Sequence, residues 1–477
     1  MPPRVTADDF LRIGPRIRVL PIIHGSGDCA IRVREELLAR PFDCVAVPLP
    51  PSFQDDVELA IEQLPTISAV VQRDAEESPE GETGFSYVPI DPCQPVIAAL
   101  RLAMGERMTR AFIDRETPRF EPQLATFPDP YALKRVSPEG FAAAVLPAIP
   151  PPQEGQHAER IVWMAQRLRE LEEHHKSILL VCSLLDWPWI RDAYQRKHTI
   201  DEPEPFYAPI QTFEVDPRLL VFILGELPFL TALYERGRRE LTPDENLSVD
   251  GVKEMVLTAR DRLKGELPKV AQRVTPQLLA TYFRYVRNLS LIERRLTPDL
   301  YTLVIAAKQI AGDDFALSLA ETAREYAYTP LPEPDADAAA SDDSPYLRMG
   351  IDRAEVPGLG GATMVSRLPG QAISWRNCEL KPRPPARDRS RWRLRWNPFG
   401  MCSWPPEDDH IESFHRHVRE QAKAILATDI ARSEKFTTSV MDGLDIRETL
   451  RNWHTGDLYV KVLPPARGSI EVVVFLF

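Results

Sequence analysis

The chain has 477 residues, 44% of them hydrophobic and 27% charged, with a formal net charge of −12. These are ordinary values for a globular protein, and the length suggests about three domains. The acidic excess argues against a general nucleic-acid binder, because phosphate binding wants a basic face, and no apolar run reaches the roughly 18 residues of a membrane-spanning helix.

The N-terminal stretch MPPRVTADDFLRIGPRIR lacks the continuous apolar segment of a secretory signal, so a cytoplasmic location is expected. Six cysteines, at positions 29, 44, 93, 182, 378 and 402, form no C-x-x-C pair, and several sit in apolar runs. They read as reduced core thiols. The 46 prolines mark many loop exits and argue against long uninterrupted helices.

In chain order, IRVLPIIH (17–24) reads as a short buried strand ending at His24, broken by Gly25 and Gly27. A helix from about Cys29 to Ala39 follows, with Asp28 placed to cap it. FDCVAV (42–47) is a second buried strand, residues 54–64 an amphipathic helix, and Ile67 to Val71 a third strand. Phe85–Ile90 is strand-like, Gln94–Gly105 helical, and Thr109–Ile113 a strand that runs into Asp114. After a proline-rich region, the helix Ala158–His175 leads into KSILLVCS (176–183), the clearest buried strand, followed by Asp186 and Trp187. Short apolar strands alternating with helices predict an α/β domain over 1–211, with a mostly parallel sheet flanked by helices.

Residues 212–328 carry apolar positions at three-and-four spacing and predict a helical module, with Thr275-Pro276 and Thr297-Pro298 as helix starts. The acidic, proline- and alanine-rich stretch 329–345 reads as a linker. Beyond it, alternating segments such as ATMVSRL, RWRLRW and LYVKVL, with a helix over 411–428, predict a small α+β domain over 346–477.

The first chemical feature is His24 with Asp28. Ligands of parallel sheets bind beyond the carboxyl ends of strands, and a helix start after a small-residue turn presents N–H groups to an anion. Ser26 and Asp28 lie in that turn, and Asp114, Glu116 and Asp186 follow other strand ends. Brought together, they would form a His-plus-carboxylate cluster suited to a divalent metal. The alternative is a buried structural histidine and a plain cap.

The segment LPIIHGSGDCAIRVREELLARPFDCVAV resembles the opening of the erythromycin-esterase/ChaN-like superfamily, which is related to TraB and TIKI proteins. RAFID, ending at Asp114, is similar to that family's strand ending in Asp, and ERIVWMAQRLRELEEHHKSILLVCSLLDW to its late helix and strand. The resemblance covers about residues 17–190. It implies a metal-dependent hydrolase, with His24, Asp114 and Asp186 as catalytic residues and metal ligands. Two positions depart from the pattern. The second strand runs into Val47-Pro48-Leu49-Pro50 where the family has Glu, and Cys182-Ser183-Leu184-Leu185-Asp186 stands where it has Gly-x-x-His. A non-catalytic scaffold or binding subunit working with other proteins is therefore the alternative to an enzyme.

Three further features lie toward the C-terminus. In KPRPPARDRSRWRLRW (381–396), alternation puts Arg391, Arg393 and Arg395 on one strand face and Trp392 and Trp396 on the other. Such a face could grip phosphate and stack on bases, or be the charged side of an edge strand. His410, His415 and His417 lack the i, i+4 spacing of helical zinc ligands and read as a solvated helix face. Asp445 to His454 form a dense polar set read as a salt-bridge network. The chain has no P-loop, no G-x-G-x-x-G after a strand and no G-x-S-x-G.

Overall fold

Apolar runs too short for helices become strands buried on both faces, as a covered parallel sheet demands. In the computed structural model, β1 (Ile17–Ile22) is buried at all six positions. It is followed by α1 (Gly27–Ala39), β2 (Cys44–Val47), α2 (Gln54–Glu62), β3 (Ser68–Arg73), β4 (Gly84–Ile90), α3 (Pro95–Gly105) and β5 (Thr109–Phe112). Next come α4 (Pro138–Val145), α5 (Gln156–His174), β6 (Ile178–Ser183), α6 (Trp187–Gln195) and β7 (Ile210–Glu214). The structure describes residues 10–381, except 76–83, 124, 153, 242–246, 330–344, 352, 372–375 and 377, together with the backbone of 432–435 and 459–462.

Four of these strands form a parallel sheet in the order β1-β6-β2-β5. The remaining three do not join it. β3 pairs antiparallel with both β4 and β7, in a second, mixed sheet. Sequence pattern reports that a strand is buried but not which neighbour it takes, so β3 and β4 read as members of one parallel series. Helix α3 packs on β2, β5 and β6, and α4 on β1. The two sheets share one apolar core, from Leu11 to Leu368.

The helical module follows: α7 (Pro228–Glu240), α8 (Leu247–Glu266), the short α9 (Pro268–Ala271), α10 (Pro276–Ile292), α11 (Leu300–Ala311) and α12 (Asp313–Ala323). Their apolar faces close a second core around Met255, Tyr282, Leu303 and Phe315. Thr275 caps α10 as expected, its side chain accepting from Leu278 N. At the other predicted start the cap is Asp299, two residues later. Thr297 instead donates through N and Oγ1 to Asp129 Oδ2, at 2.7 Å each, tying the module to the loop before α4.

β8 (Arg348–Met349), β9 (Arg353–Val356) and β10 (Gly360–Ser366) complete the mixed sheet, whose order is β7-β3-β4-β10-β9-β8. β10 runs parallel to β4, so the region from 348 to 366, assigned on sequence to the C-terminal domain, is built into the first core. The chain divides into compact units of residues 1–382 and 383–477. In the second, β11 (Arg432–Lys435) and β12 (Tyr459–Val462) form an antiparallel pair. The expected strand RWRLRW, the expected helix 411–428, the three histidines and the polar set 445–454 lie outside the described residues.

The four cysteines at 29, 44, 93 and 182 are buried and free. Burial pushes the Cys29 thiol up to about 11 and Cys44 up to about 12, so both stay protonated and behave as apolar side chains. Among the described residues no helix is long and apolar enough to cross a membrane.

Candidate active site

The strands of the parallel sheet end level with one another. Leu184 N donates to Ile22 O at 2.8 Å, Ile113 N to Val47 O at 3.1 Å, and Asp114 N to Leu49 O at 3.0 Å. His24, Asp186 and Asp114 therefore follow the ends of β1, β6 and β5 on one edge of the sheet. β2, between β6 and β5, contributes only Pro48-Leu49-Pro50 there.

Two histidines stand at this edge. His24 is buried, with Nδ1 3.1 Å from Gln94 Oε1. An amide oxygen only accepts, so Nδ1 carries the proton in this arrangement and Nε2 presents its lone pair. Burial lowers the His24 pKa to about 4; Gln94 and Asp186 oppose that fall and Arg160 adds to it. His24 is thus neutral at neutral pH. The second histidine, His157, comes from the first turn of α5. Its Nε2 lies 2.9 Å from Asp186 Oδ1. With the carboxylate accepting, Nε2 holds the proton, and Nδ1 is left buried without a hydrogen-bond partner.

Arg160, one turn further along α5, is buried against Asp114. Its Nε donates to Oδ1 at 2.9 Å and its Nη2 to Oδ2 at 2.7 Å. Burial opposes its charge, but Asp114 and Asp186 outweigh that effect and raise its pKa. A fork-to-fork pair of this kind uses both carboxylate oxygens at once.

These contacts decide whether the residues fit the divalent metal that the superfamily resemblance implies. They do not. His24, Asp114 and Asp186 are drawn to three different partners, namely Gln94, Arg160 and His157. Among the described residues no group of three or more His, Cys, Asp and Glu side chains is arranged to hold a metal ion. The positive charge among the acids is a guanidinium. His24, Asp114 and Asp186, expected together as a ligand set, are not gathered as one among the described residues.

The mixed sheet brings a second buried cation near this edge. Arg367, just past β10, is 3% exposed. Its Nε donates to Ser86 Oγ at 3.0 Å and its Nη2 to Gln72 Oε1 at 2.6 Å. The guanidinium carbon lies 4.7 Å from the Phe53 ring centroid and 5.0 Å from that of Phe120. Arg160 stacks on the same Phe120 ring at 4.7 Å. Burial pushes the Arg367 pKa down to about 10; Asp114, Glu116 and Asp74 work against the fall and Arg160 with it.

The other expected binding residues have structural partners. Ser26, not Asp28, is the N-cap of α1, its Oγ accepting from Cys29 N at 3.3 Å. Asp28 sits inside the first turn, where Lys134 Nζ at 2.9 Å and Tyr234 OH at 3.2 Å reach it. Glu116 accepts from Ser52 N at 2.8 Å and Ser52 Oγ at 2.9 Å, joining the loops after β2 and β5. Arg391, Arg393 and Arg395 lie outside the described residues.

Sequence reasoning missed His157, Arg160, Gln94 and Arg367. The pair His157 and Arg160 left a trace, the i, i+3 spacing that puts two polar residues on one helix face. Arg367 left none, because its role depends on a pairing between strands far apart in sequence.

Beside this site, the turn 25–28 carries a second acidic group. Glu226 accepts from Gly27 N at 3.1 Å. Burial, with Asp28, Asp91 and Asp129 near, raises its pKa from 4.5 to about 8. Burial likewise raises Asp91 to about 6. An acid whose folded pKa is raised holds its proton longer in the folded state than in the unfolded one. Its contribution is then complete below the unfolded pKa and is lost as pH rises through the folded value. Urea unfolding midpoints should therefore fall as pH rises between about 6.5 and about 8, above the range where the lowered His24 pKa acts in the opposite sense, and Glu226→Gln should flatten that slope. A midpoint that rises across the window would contradict this assignment.

The chain matches no protein-family model, and neither curated proteins nor solved structures include a significant match to it. The fold and the site define an α/β protein with acidic, imidazole and guanidinium side chains gathered at its strand ends.

Proposed function

We propose that the chain is a hydrolase-like enzyme working by acid–base chemistry at the strand ends, with His157 as general base and Asp186 as the residue that orients it. The observation that carries this reading is the His157–Asp186 contact at 2.9 Å, with Nδ1 left buried and unpartnered. A carboxylate that fixes one imidazole nitrogen as donor leaves the other as a base and stabilises the imidazolium that forms. In the proposed reaction, substrate binding admits a water to the buried His157 Nδ1, which takes its proton as the water oxygen bonds to the substrate's electrophilic centre. The bond to the leaving group breaks, and the same proton passes to that group. In this proposal the catalytic role that the resemblance gave His24 passes to His157, because Asp186 contacts the His157 ring directly while burial lowers the His24 pKa to about 4.

The test is hydrolysis by the full-length protein across a panel of p-nitrophenyl esters and p-nitrophenyl phosphates. His157→Gln should lower kcat/KM by about 100-fold or more, and Asp186→Asn should lower it with a changed pH profile. No turnover above buffer across the panel, or equal turnover by His157→Gln, would overturn the proposal. A second reading has its own support. Asp114, Asp186 and Glu116 are each engaged by a neighbouring side chain, as in a partly buried polar network of a non-catalytic scaffold with protein partners. That reading predicts no turnover and a loss of stability, not of activity, when the network is cut.

A further inference from the structure

Among the described residues, Arg367 stands out as a buried cation with no carboxylate in hydrogen-bond contact, although Asp114, Glu116 and Asp74 are near enough to act on it. It is 3% exposed, and its two described partners, Ser86 and Gln72, are neutral acceptors. Its Nη1 is buried with no hydrogen-bond partner. Contrast Arg160, equally buried, whose guanidinium is closed by both oxygens of Asp114. A buried cation without a contacting anion is costly, and buried polar groups are as a rule satisfied. Two aromatic rings, Phe53 and Phe120, flank the guanidinium and hold it in place. Thr117, on the segment between Asp114 and Phe120, carries a second buried and unpartnered donor, Oγ1.

We propose that Arg367 is the anchor for an oxyanion, the carboxylate or phosphate group of the site's small-molecule ligand. This deepens the reading of the strand-end site by naming the substrate class, and it rests on that reading for its location. Ser86 and Gln72 fix two nitrogens of the guanidinium and leave the third to donate. Phe120, stacked on both Arg367 and Arg160, sets the distance from the anchor to the acid–base groups of α5. The planar fork matters as well as the charge, because a lysine ammonium cannot donate to Ser86, to Gln72 and to a ligand in those three directions.

Calorimetric titration of the full-length protein with inorganic phosphate, and separately with acetate, tests this by binding, not by turnover. Saturable binding of either probe to the wild type is expected, the better probe identifying the group. Affinity should fall at least about tenfold in Arg367→Lys and disappear in Arg367→Gln, while His157→Gln should retain it. Retention in a variant that no longer turns over substrate separates this proposal from the catalytic one. No saturable binding of either probe to the wild type would overturn the anchor. So would unchanged affinity in Arg367→Lys, which decides the matter if Arg367→Gln does not fold.

Discussion

Replacing Arg160 by alanine should lower the free energy of unfolding by about 3–5 kcal/mol, read from urea or guanidinium denaturation. Asp114 is 1% exposed, and both its oxygens are held by the Arg160 fork. Removing the guanidinium leaves a buried carboxylate whose described hydrogen-bond donor is the Arg115 N–H, at 2.9 Å to Oδ1, with Arg367 as the remaining nearby cation. The stacking of Arg160 on Phe120 is lost as well. Changing both members, Arg160→Met with Asp114→Leu, should recover much of the loss, because a buried ion pair is worth little over well-packed apolar residues. Recovery in the double variant would show that the penalty came from the stranded charge and not from the missing side-chain volume. A loss below about 1 kcal/mol for Arg160→Ala, the scale of a surface pair, would mean that water reaches Asp114 and that the site is open.

The second large effect is expected at Gly225. This residue, just before α7, presses its backbone against the turn that follows β1. A Cβ on Gly225 would collide with the Cα, carbonyl carbon and oxygen of Gly25, and backbone cannot step aside as a flexible side chain can. Gly25 has its own constraint, with φ at +75°, and a Cβ there would lie 2.9 Å from the Gly225 Cα. Asp91 secures the contact by accepting from Gly225 N at 3.0 Å. Gly225→Ala should therefore destabilise the first unit by about 3 kcal/mol. It should also disturb the strand-end site, since His24 precedes Gly25 directly. Gly265, with open space around it in α8, is the control. Gly265→Ala should be neutral or stabilise by about 0.5–1 kcal/mol. Equal effects at the two glycines would refute the close packing of Gly25 on Gly225.

At the strand ends the acids are matched by a guanidinium and an imidazole. Carboxylates gathered at one sheet edge need a counter-charge. Here α5 brings it as Arg160, one helical turn from His157, so the counter-charge and the imidazole arrive on the same helix. The absence of an acid after β2, visible in Val47-Pro48-Leu49-Pro50, leaves the middle of the edge apolar.

What the sequence determined by itself is local. Runs such as ILLVCS, and IRVLPI with its one charged residue Arg18 paired to Glu36 and Glu139, specify strands buried on both faces, because a short apolar run bounded by turns fits a covered parallel strand. Three-and-four spacing specifies the helices of the 212–328 module. Ligands gather where strands end, so His24, Asp114 and Asp186 could be named from their positions alone. Tertiary structure decided the partners. Period and burial are the same for a strand in a parallel sheet and in a mixed one, so nothing local separated β3 and β4 from β1 and β2. The pairing of β10 with β4 carries Arg367 into the site from a segment that reads as another domain. Whether an acid meets an imidazole, a guanidinium or a cation depends on which side chains the closed core brings within 3 Å. That information lies in long-range packing, not in the spacing of residues along the chain.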